Sequence, residues 1–184
     1  MFTEQRINTV GTLGNDVNDP TCSILAVKSL NEPFTIVPYQ EFEQIVEPLL
    51  AEDVDAMVVP GAYPNISKFI MNELLVVSNV FTFVIPSLVF GSKESVAKIE
   101  YDVLYNHPAT NPLTNDINAK WGDQINVSSN SVACLNVLQS LHRECCAITN
   151  SACAEHYGIY VHKVLRAGIN MPFVVFVKNR KEER

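Results

Sequence analysis

The chain is short of several things, and each shortage excludes a class of function. Basic residues are few: 13 Lys and Arg stand against 20 Asp and Glu, a formal net charge of −7. A protein that neutralises nucleic-acid phosphates needs a basic face, so nucleic-acid binding is not expected. Only 7 of the 184 residues are glycine, and none lies in a Gly-rich phosphate loop or a Gly-x-Ser-x-Gly turn. The five cysteines form no CxxC pair. They read as reduced, buried thiols of a cytoplasmic protein, and no metal site or cofactor is expected. The most apolar stretch, Leu74 to Phe90, is broken by Ser78, Asn79, Thr82, Pro86 and Ser87, so it is not a membrane span. The N-terminus, MFTEQRINTVGTLG, lacks the pattern of a signal peptide.

What is present is a chain able to bury a core, with 47% apolar and 18% charged residues. Apolar runs bounded by turn residues alternate with amphipathic stretches, the pattern of an α/β fold with largely parallel strands. Ile7–Leu13 reads as a strand and Thr21–Leu30 as the helix after it, followed by a strand at Phe34–Val37. Phe42, Ile45, Val46, Leu49 and Leu50 share one helical face, which Pro48 should shorten or kink. Asp55–Pro60 reads as a buried strand, Asn65–Asn72 as a turn and short helix, and Val80–Phe90 as a long extended run carrying the chain between lobes. Beyond it, strands are expected at Tyr101–Tyr105, Gln124–Ser128 and Cys145–Thr149, and helices at Thr110–Lys120 and Ser131–His142. Ile159–Val164 and Phe173–Val177 close the fold, before a solvated NRKEER tail. Cys145 and Cys146, adjacent on a buried strand, should point to opposite faces.

Small polar residues gather where these elements meet. Gly14 ends a strand, and Thr21 and Ser23 offer hydroxyls at a helix start, an arrangement that suits a carboxylate or simple capping. Ser128-Ser129-Asn130-Ser131 precedes a second helix, where Asn130 and Ser131 can cap it and the free N–H groups can hold a second carboxylate. Val59-Pro60-Gly61-Ala62-Tyr63 ends a strand, and Tyr63 can act as a phenol or as packing. Asn106-His107-Pro108 follows another, and His107 is either an acid near neutral pH or a turn-orienting group. Thr149 and Asn150 end the last buried strand. His142 and His162 fall in no motif, and His156 reads as solvent-facing.

The run CCAITNSACAEHYGIY (residues 145–160) resembles the prephenate dehydratase signature: buried strand, small polar turn, Ala-rich helix, then Tyr157-Gly158-Ile159. In that family an Asn-x-Thr-Arg-Phe strand follows and carries the catalytic Thr. Aligning Phe173 with the family Phe places Met171 and Pro172 where Thr and Arg belong. Thr12-Leu13-Gly14 with Thr21-Cys22-Ser23 is similar to the family's opening motif, with about three extra residues in the loop Asn15–Pro20 and Ile24 in place of its Glu. Gly61-Ala62-Tyr63 resembles the turn of the bacilysin-type prephenate decarboxylases.

The resemblance implies an α/β, bilobal fold of the prephenate dehydratase and type II periplasmic-binding-protein kind, with the ligand cleft between lobes. One bilobal domain would span residues 1–184, with lobe 1 at about 1–80 plus the C-terminal segment and lobe 2 at about 81–170. It implies non-aromatising decarboxylation of prephenate to a dihydro-4-hydroxyphenylpyruvate in secondary-metabolite (antibiotic) biosynthesis. His107 and Tyr63 would be catalytic; Thr21, Ser23, Asn106, Asn130, Ser131, Thr149 and Met171 would bind the substrate. A small-molecule carboxylate is the expected partner, with no nucleic acid or membrane, and a homodimer is compatible with the fold. A non-catalytic carboxylate-binding protein and a divergent dehydratase are the alternatives.

Overall fold

A computed structural model describes residues 6–141 and 143–180. His142 and most of the NRKEER tail therefore lie outside the described residues. In chain order the elements are β1 (Thr9–Leu13), α1 (Cys22–Ser29), β2 (Thr35–Tyr39), a 3-10 turn (Phe42–Ile45) leading into α2 (Val46–Leu50), β3 (Ala56–Pro60), α3 (Ile66–Ile70) and β4 (Leu75–Val84). Then come β5 (Leu88–Ser92), β6 (Glu100–Asn106), a 3-10 segment (Pro108–Asp116), β7 (Lys120–Asn126), α4 (Asn130–Gln139), β8 (Cys145–Asn150), α5 (Ser151–Tyr157), β9 (Tyr160–Arg166) and β10 (Asn170–Lys178). The chain divides into two compact units. The first holds Met1–Asn18, Ser23–Phe83 and Asn170–Arg184; the second holds Asp19–Cys22 and Val84–Ile169.

In the first unit the strand order is β2-β1-β3-β10-β4. β1 runs parallel to β2 and β3, whereas β10 returns antiparallel to β3. Phe42, Ile45, Leu49, Met57, Phe69 and Phe176 form the buried cluster behind this sheet. The helical face expected at 42–50 is present but divided, a 3-10 turn giving way to five residues of α-helix. Pro48 is the third residue of α2, a first-turn position at which its missing N–H costs no hydrogen bond.

The second unit repeats the wiring, with order β7-β6-β8-β5-β9. β6 is parallel to β7 and β8, and β5 is antiparallel to β8 and β9. Both sheets are thus mixed rather than largely parallel. Cys145 packs with Val103, Val137 and Cys153, whereas Cys146 packs with Phe90, Leu104 and Ile148, so the neighbouring thiols do serve opposite faces.

Two sequence expectations are corrected. The extended run Val80–Phe90 is two strands, β4 and β5, interrupted around Pro86, which cannot donate to a ladder. The helix expected at Thr110–Lys120 is instead the 3-10 segment Pro108–Asp116, which contains Pro112, and Lys120 already belongs to β7. β7 is an edge strand with an exposed, polar sequence, KWGDQIN, and so lacks the apolar alternation that marks a strand.

Candidate functional site

In the second unit the parallel strands β6, β7 and β8 end at a common edge, with Asn106 opposite Asn126 and Tyr105 opposite Ala147. The carboxyl ends of parallel strands are where open α/β sheets place ligands. Two helices start there. Ser129 caps α4 by accepting from Val132 N–H (3.1 Å), and Asn150 caps α5 by accepting from Cys153 N–H (2.8 Å).

The segment Asp19–Cys22 is tied to these starts. Asn150 Nδ2 donates to Pro20 O at 3.2 Å, Cys153 Sγ donates to the same carbonyl at 3.3 Å, and Asn130 Nδ2 reaches Cys22 Sγ at 3.6 Å. The fully buried Asp19 accepts at Oδ1 from Ser131 Oγ (2.5 Å) and from Tyr157 OH (3.2 Å). Thr149 Oγ1 donates to Asn130 O at 2.9 Å and accepts from Cys134 Sγ at 3.2 Å. Asn130 Oδ1 is buried with no hydrogen-bond donor among the described residues. Asn130, Ser131 and Thr149 therefore share one network, and Thr21 is buried between the tethered Pro20 and Cys22.

Burial pushes the Cys22 thiol up to about 11, against the opposing hydrogen bonds from Asn150 and Asn130. It pushes Cys134 up to about 11 as well, and Cys146 and Cys153 higher still. At neutral pH these groups are weak donors rather than thiolate nucleophiles. Among the described residues, no group of three or more His, Cys, Asp or Glu converges to hold a metal ion.

Asn106 and His107 form a separate arrangement at the end of β6. The buried Asn106 gives Nδ2 to His107 O (3.0 Å) and Asn111 Oδ1 (2.7 Å) and takes Gln124 Nε2 on Oδ1 (3.0 Å). His107 Nδ1 accepts from Ala109 N–H at 3.2 Å, so the neutral ring carries its proton on Nε2. Burial lowers the His107 pKa and favours this neutral form. Both residues build the turn that leads into Pro108–Asp116.

Ser23, Tyr63 and Met171 belong to the first unit. Ser23 is buried in the first turn of α1. Tyr63 OH donates to Glu43, 2.8 Å from either carboxylate oxygen, and its ring packs edge-on against Phe42 and stacked on Phe69. Burial first, and then the hydrogen bond to Glu43, push the phenol up to about 12. Met171 and Pro172 follow Asn170 at the start of β10, beside the end of β3, where Gly61 N–H donates to Pro172 O at 2.7 Å. A Cβ on Gly61 would lie 2.9 Å from Pro172 Cγ, so this approach requires glycine.

Sequence reasoning missed Asp19 and underrated Asn150, Cys153 and Tyr157. Three of these four lie in the 145–160 run that carries the family signature. Asp19 had only its place before Pro20 and a helix start to mark it.

Two α/β units with this strand order define a fold shared with solute-binding proteins. An ABC-transporter periplasmic substrate-binding protein from Coxiella burnetii superposes over 94% of this chain and 84% of its own, with a TM-score of 0.51 and 14% identity. Within that fold the chain belongs to the prephenate dehydratase family, whose model matches residues 18–171. A prephenate decarboxylase from Planktothrix agardhii is 30% identical over 144 residues, 72% of this chain and 70% of the relative. Prephenate dehydratase from Arthrobacter aurescens, solved with L-Phe, superposes with a TM-score of 0.67 at 16% identity over 94% of this chain. The chain spans 61% of that dehydratase. Among the described residues no helix is long and apolar enough to cross a membrane.

Proposed function

We propose that this protein is a cytoplasmic enzyme that decarboxylates prephenate and keeps the ring hydroxyl, yielding a dihydro-4-hydroxyphenylpyruvate for secondary-metabolite (antibiotic) biosynthesis. One observation carries the reading. Met171-Pro172 stands where the family places its catalytic Thr-Arg, and neither side chain has a hydrogen to donate. Pro172 has no N–H either, and its carbonyl is taken by Gly61. A dehydratase must protonate the departing hydroxyl, and this pair cannot. The similarity to a prephenate decarboxylase supports the same reading.

In the proposed reaction the bond from the ring to its carboxylate breaks and the electron pair enters the diene. One ring carbon takes a proton from water, and CO₂ leaves. Water is the proton source because the other candidates are committed: Tyr63 to Glu43, and His107 to its turn as a neutral ring. The bound ligand would lie on Thr21, Asn130, Ser131 and Thr149 of the second unit. The closed Asp19–Ser131–Tyr157 network equally suits a carboxylate-binding protein without turnover.

The test is incubation with prephenate near neutral pH beside a protein-free control, following CO₂ and ultraviolet absorbance. CO₂ release above the control without an aromatic product supports the decarboxylase. Phenylpyruvate above the control would indicate a divergent dehydratase, and prephenate bound but unchanged would indicate the binding protein.

A further inference from the structure

Among the described residues the two sheets end in four outer strands, β2 and β4 in the first unit and β7 and β9 in the second. An outer strand leaves backbone groups unpaired and invites association, so proline or charge normally protects it. β2 has Pro38, β7 has Lys120 and Asp123, and β9 has Lys163 and Arg166. β4, LVVSNVFTFV, has neither proline nor charge in its ten residues. Asn79 covers one backbone donor there, its Oδ1 accepting from Val80 N–H at 2.8 Å. Exposed apolar side chains crowd the same stretch: Ile70, Met71, Leu74, Val76, Val77 and Val80 are each between 40% and 79% exposed. Together they leave on the order of 500 Å² of apolar surface in water, close to the apolar share of one side of a standard interface.

We propose that this α3–β4 surface joins two copies of the chain, patch to patch about a two-fold axis. A two-fold contact sets one surface against itself, so an apolar patch finds its complement in its own copy. Charge favours the same occupant. From Leu74 to Val84 there is no ionisable side chain, so two chains of net charge −7 can meet here with little repulsion. A lipid surface is a poorer fit, because membrane-binding faces combine apolar residues with Lys and Arg, and anionic headgroups repel an acidic chain. With Val80 N–H held by Asn79, the contact is side-chain packing rather than one continued ladder. The pairing is independent of the reaction proposed above.

Sedimentation velocity of the full chain, from about 1 to about 100 μM, is the test. The unmodified chain should sediment as a dimer in the upper part of that range. Val80→Lys buries a charge in the contact and should raise the dissociation constant about a hundredfold or more, leaving a monomer. Val80 is 54% exposed, so lysine there should leave the fold intact, as checked by circular dichroism and the urea midpoint. Should that variant not fold, Leu74→Lys, in the connection before β4, should separate the copies in the same way. Val164→Lys, at a comparably exposed position on the outer strand β9, should leave the dimer whole. A chain that stays monomeric throughout would overturn the proposal, including one that binds phosphatidylcholine vesicles instead. So would a dimer that survives both patch substitutions, or one that Val164→Lys separates.

Discussion

Two corresponding strand ends, β3 in the first unit and β8 in the second, are finished in opposite ways. β3 runs into Pro60-Gly61, where a glycine lets Pro172 come into contact and Phe173 is buried against Phe81 and Phe83. β8 runs into Thr149 and Asn150, both fully buried and both hydrogen-bonded, with Asp19 and Ser131 in the same network. The first is an apolar seal. The second is a polar clamp in which nearly every donor is committed. One sheet wiring thus supports an apolar strand end and a polar one.

The seal should be the costlier one to break. Phe173→Ala removes a fully buried ring and should destabilise by about 3–5 kcal/mol, read from the midpoint of urea unfolding at constant slope. Asn150→Ala removes a cap and three Nδ2 contacts from the clamp. It should cost about 2–3 kcal/mol, with hydrogen exchange fastest in α5; a loss spread evenly over both units would contradict the local account.

Tyr63→Phe should cost about 1 kcal/mol or less, since the lost bond to Glu43 is exposed. Turnover of prephenate should stay within about twofold, because water is the proposed proton source; a hundredfold loss would restore Tyr63 as the acid. The smallest effect concerns pH. All four histidines fall in the Val84–Ile169 stretch of the second unit. Burial lowers the pKa of His107 and of His162 below the usual 6.5. The unfolded chain therefore takes these protons more readily. Their contribution to stability is intact above 6.5 and declines as pH falls through that value. Protection factors in β6 and β9 should fall on acidification before those in β1 and β3; the reverse order would contradict the assignment.

Much of the frame was legible. Buried strands such as AMVVP and CCAITN announce themselves as short apolar runs between turn residues, and the helix at Asn130–Gln139 by its Leu and Val spacing. β7 was displaced because its residues are solvent-facing and carry no apolar rhythm. The Ser131 and Thr149 neighbourhood was readable as a cluster of small polar groups, and its internal carboxylate was not. Asp19 meets Ser131 and Tyr157 across 112 and 138 residues of chain, and nothing local in a loop reports a contact at that distance. The same limit applied to Tyr63 and His107. Residue type marks them as candidate acids, whereas their hydrogen bonds to Glu43 and from the Ala109 N–H carry no local signal.

The central claim, that Met171-Pro172 leaves the ring hydroxyl without a proton donor, is tested most directly with prephenate carrying oxygen-18 in that hydroxyl. Decarboxylation as proposed should leave the label in a non-aromatic 2-oxo acid above the level of a protein-free control. Label released into water, together with unlabelled phenylpyruvate formed faster than in that control, would contradict it.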